Sequence, residues 1–262
     1  MEVIICKTYE DMSVRAAREV ANALNTKPNA VLGLATGSTP VGLYEELVRR
    51  HREEGLDFSQ VTTFNLDEYV GLRDDHPQSY HYFMKEHLLK DINVPPQNVH
   101  IPSGTTRNHI AFCAWYEERI RECGGIDLQV LGIGGDGHIA FNEPGSSLGS
   151  RTRIKTLAEQ TIKDNARFFS EDEEVPIYAI TMGVGTILEA RKLMLLASGE
   201  NKAEAVAQAI EGPVTSMITA SALQLHHDSV ILLDEPAAGK LKMRDYYQWI
   251  QDNKPGAPKA EV

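Results

Sequence analysis

Residues 30–48 read AVLGLATGSTPVGLYEELV: an apolar run, a turn cluster and a helical period in direct succession. Ala30 to Ala35 is short and continuously apolar, the pattern of a strand buried on both faces. Thr36-Gly37-Ser38-Thr39-Pro40 interrupts it with small, turn-forming residues. Val41, Leu43, Tyr44, Leu47 and Val48 then recur at the spacing of one helix face, and Pro40 near the first helical position suits a helix start. A buried strand that feeds a helix is the repeating unit of a parallel sheet.

The same unit recurs on either side. Upstream lie an apolar run at Val3 to Cys6 and a helical period through Met12, Val14, Ala17, Val20, Ala21 and Leu24. Downstream, strand candidates fall at 61–66, 128–133, 177–182, 193–197 and 230–233, with helical patterns at 82–89, 111–120, 201–210 and 216–225. This alternation predicts an α/β fold, a mostly parallel sheet with helices on both faces. Ligands of such sheets bind beyond the carboxyl ends of the strands, at a switch in strand order. Three polar segments follow strand candidates and are the first places to look for chemistry: 36–40, 67–81 and 134–150. No linker divides the chain, so residues 1–250 are expected to form one domain, with 251–262 as a flexible tail.

The chain has 262 residues and a formal charge of −11, from 26 Lys and Arg against 37 Asp and Glu. That balance argues against nucleic acid and against anionic membrane surfaces, both of which are held by clustered Lys and Arg. No stretch approaches the ~18 apolar residues of a membrane helix. Cys6, Cys113 and Cys123 are an odd count without a C-x-x-C pair, which points to a reduced cytosol rather than to a disulfide scaffold.

Gly132, Gly134 and Gly137 satisfy G-x-G-x-x-G after a strand, yet the stretch runs into Pro144 rather than into a helix and lies mid-chain. A nucleotide cofactor is therefore not expected. The segment still has the chemistry of a site. Asp136, His138 and Glu143 sit close together on a glycine-rich loop, and a histidine between carboxylates can move protons near neutral pH. The residues alone leave open a polar loop that merely turns the chain. Asp67, at the end of a strand, could be a general base or the cap of the next helix. Thr36 to Pro40 could cradle an anion at a helix N-terminus or could start that helix without a ligand. Arg167 and Lys202 read singly as surface charges. No zinc-like histidine spacing occurs, so no metal is expected.

Several markers in one order carry a resemblance over nearly the whole chain: LATGSTPVGLYEEL (34–47), FNLDEYVGL (64–72), GIGGDGHIAFNEPGSSLGSRT (132–152), ARFF (166–169), MGVGT (182–186) and LQLHHD (223–228). Together they resemble the glucosamine-6-phosphate deaminases. The Phe-Asn-Glu-Pro of 141–144 separates them from related sugar-phosphate lactonases, which are similar only up to the Asp-Gly-His.

The resemblance implies a Rossmann-like α/β fold and conversion of glucosamine 6-phosphate and water to fructose 6-phosphate and ammonia, without a cofactor. It implies that Asp67 is the enolisation base, His138 the ring-opening acid/base, and Asp136 and Glu143 its supporting carboxylates. It places Gly37, Ser38, Arg167 and Lys202 at the substrate phosphate. Some members of that family are hexamers activated by N-acetylglucosamine 6-phosphate, and Ser146, Arg153 and Lys155 match residues tied to that effector. A homo-oligomer is implied accordingly. The readings that compete are a lactonase, which needs no base at Asp67, and a non-catalytic sugar-phosphate sensor.

Overall fold

A computed structural model describes residues 1–170 and 173–255. Seven strands form one wholly parallel sheet: β1 (Glu2–Cys6), β2 (Val31–Leu34), β3 (Thr62–Asn65), β5 (Val99–His100), β6 (Leu128–Leu131), β9 (Lys192–Ala197) and β10 (Ser229–Asp234). Their spatial order is β1-β10-β9-β6-β2-β3-β5. Strands β4 (Asp67–Tyr69), β7 (Arg153–Thr156) and β8 (Tyr178–Thr181) form a second, antiparallel sheet in the order β4-β8-β7.

The helices are α1 (Tyr9–Thr26), α2 (Val41–Glu54), α3 (Tyr80–His87), α4 (His109–Glu122), α5 (Glu159–Ala166), α6 (Val184–Leu188), α7 (Ala203–Glu211) and α8 (Arg244–Asp252). Every residue of β2, β6 and β10 is buried, as strands covered on both faces must be. The apolar stripe of α1 (Met12, Ala16, Ala17, Val20, Ala21 and Leu24) is buried, and Thr8 caps the helix by accepting from Asp11 N at 3.1 Å. Val14, which fits the sequence period, is exposed at 47%.

The strand order locates the site. From β2 the chain winds outward through β3 to β5, and from β6 it winds the other way through β9 and β10. The direction reverses between β2 and β6, so the loops that leave these two strands part and open a crevice. Those loops are 35–40 and 132–152.

Three expectations need correction. Residues 177–182 belong to the small antiparallel sheet, because their partner is the polar strand β7 and not the apolar interior of the large sheet. Residues 216–225 are no α-helix: a bridge joins Thr215 to Ile218, and a 3-10 segment covers Thr219–Leu225. There, Ser221 Oγ accepts from Thr215 N at 2.9 Å and donates to Ile218 O, so side chains take backbone partners an α-helix would need. The final helix runs past 250 to Asp252, and Lys254 Nζ reaches Glu2 Oε1 at 2.7 Å. The remainder of the expected tail, 256–262, lies outside the described residues.

Candidate active site

A cleft of about 650 Å³ opens at the carboxyl ends of β2, β3, β6 and β9. Its walls bring together Gly37 and Ser38, Asp67, His138, Arg167 and Lys202, residues drawn from five separate parts of the chain. Asp136 and Glu143 stand behind His138 and touch its ring.

The loop after β6 is rigidly held despite its glycines. Thr219 Oγ1 accepts from Ile139 N at 3.1 Å and donates to Asn142 O at 3.0 Å. Thr181 Oγ1 accepts from Phe141 N, and the buried Asn142 side chain donates to Ile139 O and Met182 O. These bonds hold Ala140, on the cleft wall, at a φ of 50°, a left-handed conformation that a Cβ disfavours. Gly134 lies under the imidazole. A Cβ there would come within 2.4–2.6 Å of the His138 ring atoms, so the ring can occupy its place only over a glycine.

His138 Nδ1 lies 2.6 Å from Asp136 Oδ1 and 3.6 Å from Glu143 Oε2. The Asp136 contact is short but poorly aligned for a hydrogen bond, and Glu143 Oε2 is buried without a partner. Glu143 Oε1 accepts from Ala158 N at 3.0 Å, so one oxygen anchors the side chain and the other faces the imidazole. Burial pushes the Asp136 carboxyl upward, but the His138 ring beside it outweighs this and leaves it below the ordinary carboxylate range. An ionised Asp136 requires a proton on Nδ1, and this leaves Nε2 as the working nitrogen.

Asp67 begins β4, where the chain leaves the large sheet for the small one. Among the described residues no group hydrogen-bonds its carboxyl, which faces the cleft. Burial, reinforced by the charge of Glu68, pushes it up to about 8. The alternative role as a helix cap falls to Glu68 instead, whose carboxylate accepts from Tyr80 N and His81 N at the start of α3. Sequence reasoning passed over Glu68. Its place beside Asp67 in the same motif was a signal, but only the fold shows which carboxylate faces which way.

The cationic end lies across the cleft. Neither Arg167 nor Lys202 forms a salt bridge among the described residues; Arg167 lies over the Phe168 ring at 4.7 Å. Burial lowers the Lys202 ammonium below its usual range; Asp164 opposes this and Arg167 adds to it. Opposite them, Gly37 adopts a φ of 95°, and Pro40 gives α2 no side-chain cap. Tyr9 Oη ties this turn down by accepting from Gly42 N at 2.7 Å and donating to Thr39 O at 3.1 Å. Tyr80, Asn165, Ser198 and Asn201 also line the cleft, and the sequence did not single them out.

The effector candidates lie elsewhere. Arg153 and Lys155 are two residues apart on β7, hence on one face of an edge strand. Arg153 Nη1 donates to Asn142 Oδ1 at 2.9 Å, and Ser146 Oγ is buried without a partner.

A reversing parallel sheet with an Asp-His-Glu cluster, a buried carboxylate and, among the described residues, two cations without salt bridges in one cleft fits an α/β enzyme acting on a small phosphorylated substrate. Residues 7–232 match the family model described as glucosamine-6-phosphate isomerases/6-phosphogluconolactonase, and the chain belongs to that family. A glucosamine-6-phosphate deaminase of Hahella chejuensis is 54% identical over 251 residues, 96% of each chain. One from a Thermoanaerobacter species is 52% identical over 94% of this chain and 97% of its own. A solved structure described as a monomeric glucosamine-6-phosphate deaminase superposes with a TM-score of 0.90 at 48% identity, covering 92% of this chain and all of the other. The 6-phosphogluconolactonase of Trypanosoma cruzi, at 21% identity and a TM-score of 0.72, shares the fold.

Proposed function

We propose that this chain is a glucosamine-6-phosphate deaminase, which converts glucosamine 6-phosphate and water to fructose 6-phosphate and ammonia. The observation that carries this reading is Asp67: a buried carboxyl with no hydrogen-bond partner among the described residues, lining the same cleft as His138. Lactone hydrolysis removes no proton from carbon. Enolisation next to a carbonyl does.

The closed sugar has no acidic proton at C2, so the ring must open first. His138 Nε2 takes the proton from O1 and returns one to the ring oxygen, giving the aldehyde. Asp136 and Glu143 orient the ring and balance the imidazolium that forms between these transfers. Asp67 then removes the C2 proton as the carbonyl oxygen gains one, which yields the enolamine. Return of the proton to C1 gives the ketimine at C2. Water adds there, and ammonia leaves. The substrate's own amine and carbonyl stabilise each intermediate, so no bound cofactor is called for. A proton-transfer group of this kind contributes on the order of 10²–10⁴-fold.

Arg167, Lys202 and the turn at Gly37 and Ser38 hold the phosphate, which reacts at no step and fixes the sugar's register along the cleft. Residues 1–250 act as one domain, in keeping with the core that runs without a break from β1 to β10. The three free cysteines suit a reduced cytosol. Among the described residues no helix is long and apolar enough to cross a membrane.

Assembly and regulation form a second part of the proposal. Ser146, Arg153 and Lys155 bind N-acetylglucosamine 6-phosphate in a homo-oligomer that extends at most to a hexamer. The unpartnered Ser146 Oγ and the shared face of Arg153 and Lys155 support this; the monomeric description of one solved relative weighs against it. Mass photometry with and without the effector decides it, since a monomer with hyperbolic kinetics in both conditions excludes an allosteric oligomer. For the reaction itself, the test is to incubate glucosamine 6-phosphate with the protein and measure both products. Equimolar fructose 6-phosphate and ammonia are expected. Turnover of 6-phosphogluconolactone without ammonia from the amino sugar would replace the reading with that of a lactonase.

A further inference from the structure

Asp67 and Glu68 are adjacent on β4 and therefore point to opposite sides of the strand. Both are buried, and their surroundings differ sharply. Among the described residues no group hydrogen-bonds the Asp67 carboxyl. The Glu68 carboxylate accepts from Tyr69 N at 2.8 Å, Tyr80 N at 2.9 and 3.0 Å, His81 N at 3.1 Å and His81 Nδ1 at 2.9 Å. The first turn of α3 is accounted for completely. Glu68 takes the N–H groups of Tyr80 and His81, Ser79 Oγ takes that of Tyr82, and Ser79 O takes that of Phe83. Three backbone donors, two of them at a helix N-terminus, and the His81 ring converge on the Glu68 oxygens.

We infer that Glu68 is a positioning residue for the base: it locks the strand that carries Asp67 to the helix that carries Tyr80, and it places a second carboxylate one residue from Asp67. The inference rests on the proposed role of Asp67 and adds what makes that aspartate a strong base. The donors of this junction all go to Glu68, and burial, together with the Glu68 charge, raises the Asp67 carboxyl. Asp67 is left as the group that accepts the proton from C2. The lock also reaches the cleft wall. Tyr80, whose N–H Glu68 holds, stacks on Phe141 at 6.2 Å and packs on Tyr69 at 5.1 Å.

The groups that face this pair are few. Tyr69, Tyr80 and Tyr116 feel the Asp67 charge; all three are buried and neutral near pH 7. His81 faces Glu68, and Asp74 Oδ1 lies 3.7 Å from the same ring on the solvent side. His81 Nδ1 is a donor here, because the carboxylate opposite it can only accept.

The test is the pH dependence of kcat/KM for ammonia release by wild type, Glu68→Gln and His81→Gln, with thermal unfolding of each. Glu68→Gln removes the charge and keeps the size. Its acid limb is expected to move down by at least one pH unit, with kcat falling at least tenfold because the base is weaker and KM changing less than threefold. His81→Gln loosens the same junction but leaves the charge, so its limb stays or moves up. A limb that stays put in folded Glu68→Gln overturns the inference. So does a limb that moves down in both variants, which would trace the shift to loosening alone. If Glu68→Gln does not fold, an upward or unmoved limb in His81→Gln supports the inference, and a downward one overturns it. A wild type that releases no ammonia at all fails the proposed reaction instead, so the two failures are told apart.

Discussion

Replacing Asp67 with asparagine should remove the activity and make the protein more stable. In the native cleft the Asp67 carboxyl titrates at about 8, against 3.8 in an unstructured chain. The fold therefore binds this proton more tightly than the unfolded chain does. Whatever stability the protonated group allows is complete below about pH 4, is lost progressively as pH rises, and stays lost above about pH 8. At about 1.4 kcal/mol per unit, the penalty carried by the ionised wild type is at most about 6 kcal/mol above pH 8 and about 4 kcal/mol at pH 7. Asp67 faces a cleft that water can fill, which solvates part of the charge and brings the expected gain to about 2 kcal/mol at pH 7. Asparagine has nearly the same shape, and no hydrogen bond to the described residues is lost. Urea unfolding of both proteins near pH 5 and near pH 8 measures the difference, and a coupled ammonia assay measures activity. The mutant should gain over wild type as pH rises, while turnover drops at least about 100-fold. A mutant less stable at both pH values, or one with a gain that does not change with pH, would refute the argument that burial strains this carboxylate. Near-wild-type turnover would remove it from the chemistry.

Further outcomes follow from the rest of the cleft. Lys202→Ala should raise KM for the sugar phosphate about 10- to 100-fold and lower kcat far less, since the cation grips a group that does not react; an unchanged KM would exclude it from the phosphate site. Gly134→Ala should keep the fold but lower kcat about 100-fold, because the new Cβ displaces the His138 ring from its place beside Asp136 and Glu143; circular dichroism and steady-state kinetics check the two halves. Thr219→Val removes the hydroxyl that bonds both Ile139 N and Asn142 O, and should cost about 1–3 kcal/mol in urea unfolding through the buried groups left unpaired.

Much of this architecture is legible in local sequence. The run from Ala30 to Val48 folds as its pattern indicates, because β2 lies at the centre of the sheet and α2 needs one apolar face. The small sheet is not legible in the same way. Strand β7 alternates partly buried and exposed residues over only four positions, and what makes it a strand is pairing with β8, more than 20 residues on. The stretch 216–225 misleads for a related reason: its helical period is real, but Thr219 and Ser221 spend their hydroxyls on backbone groups. The candidate site divides along the same line. Sequence spacing puts Asp136, His138 and Glu143 together because one loop carries them. Nothing local says that Asp67 faces the cleft and Glu68 the helix, since that depends on which side of β4 meets α3. Nor could spacing show that Arg167 and Lys202 line one cleft, which is a property of the assembled fold.

The central claim is that one carboxylate moves a proton from C2 to C1 of the opened sugar before ammonia leaves. Glucosamine 6-phosphate carrying deuterium at C2 tests it directly. The expected result is fructose 6-phosphate formed in step with ammonia, with the deuterium gone from C2 and divided between C1 and the solvent. A sugar phosphate released with deuterium still on C2, as direct displacement of the amine would give, contradicts it.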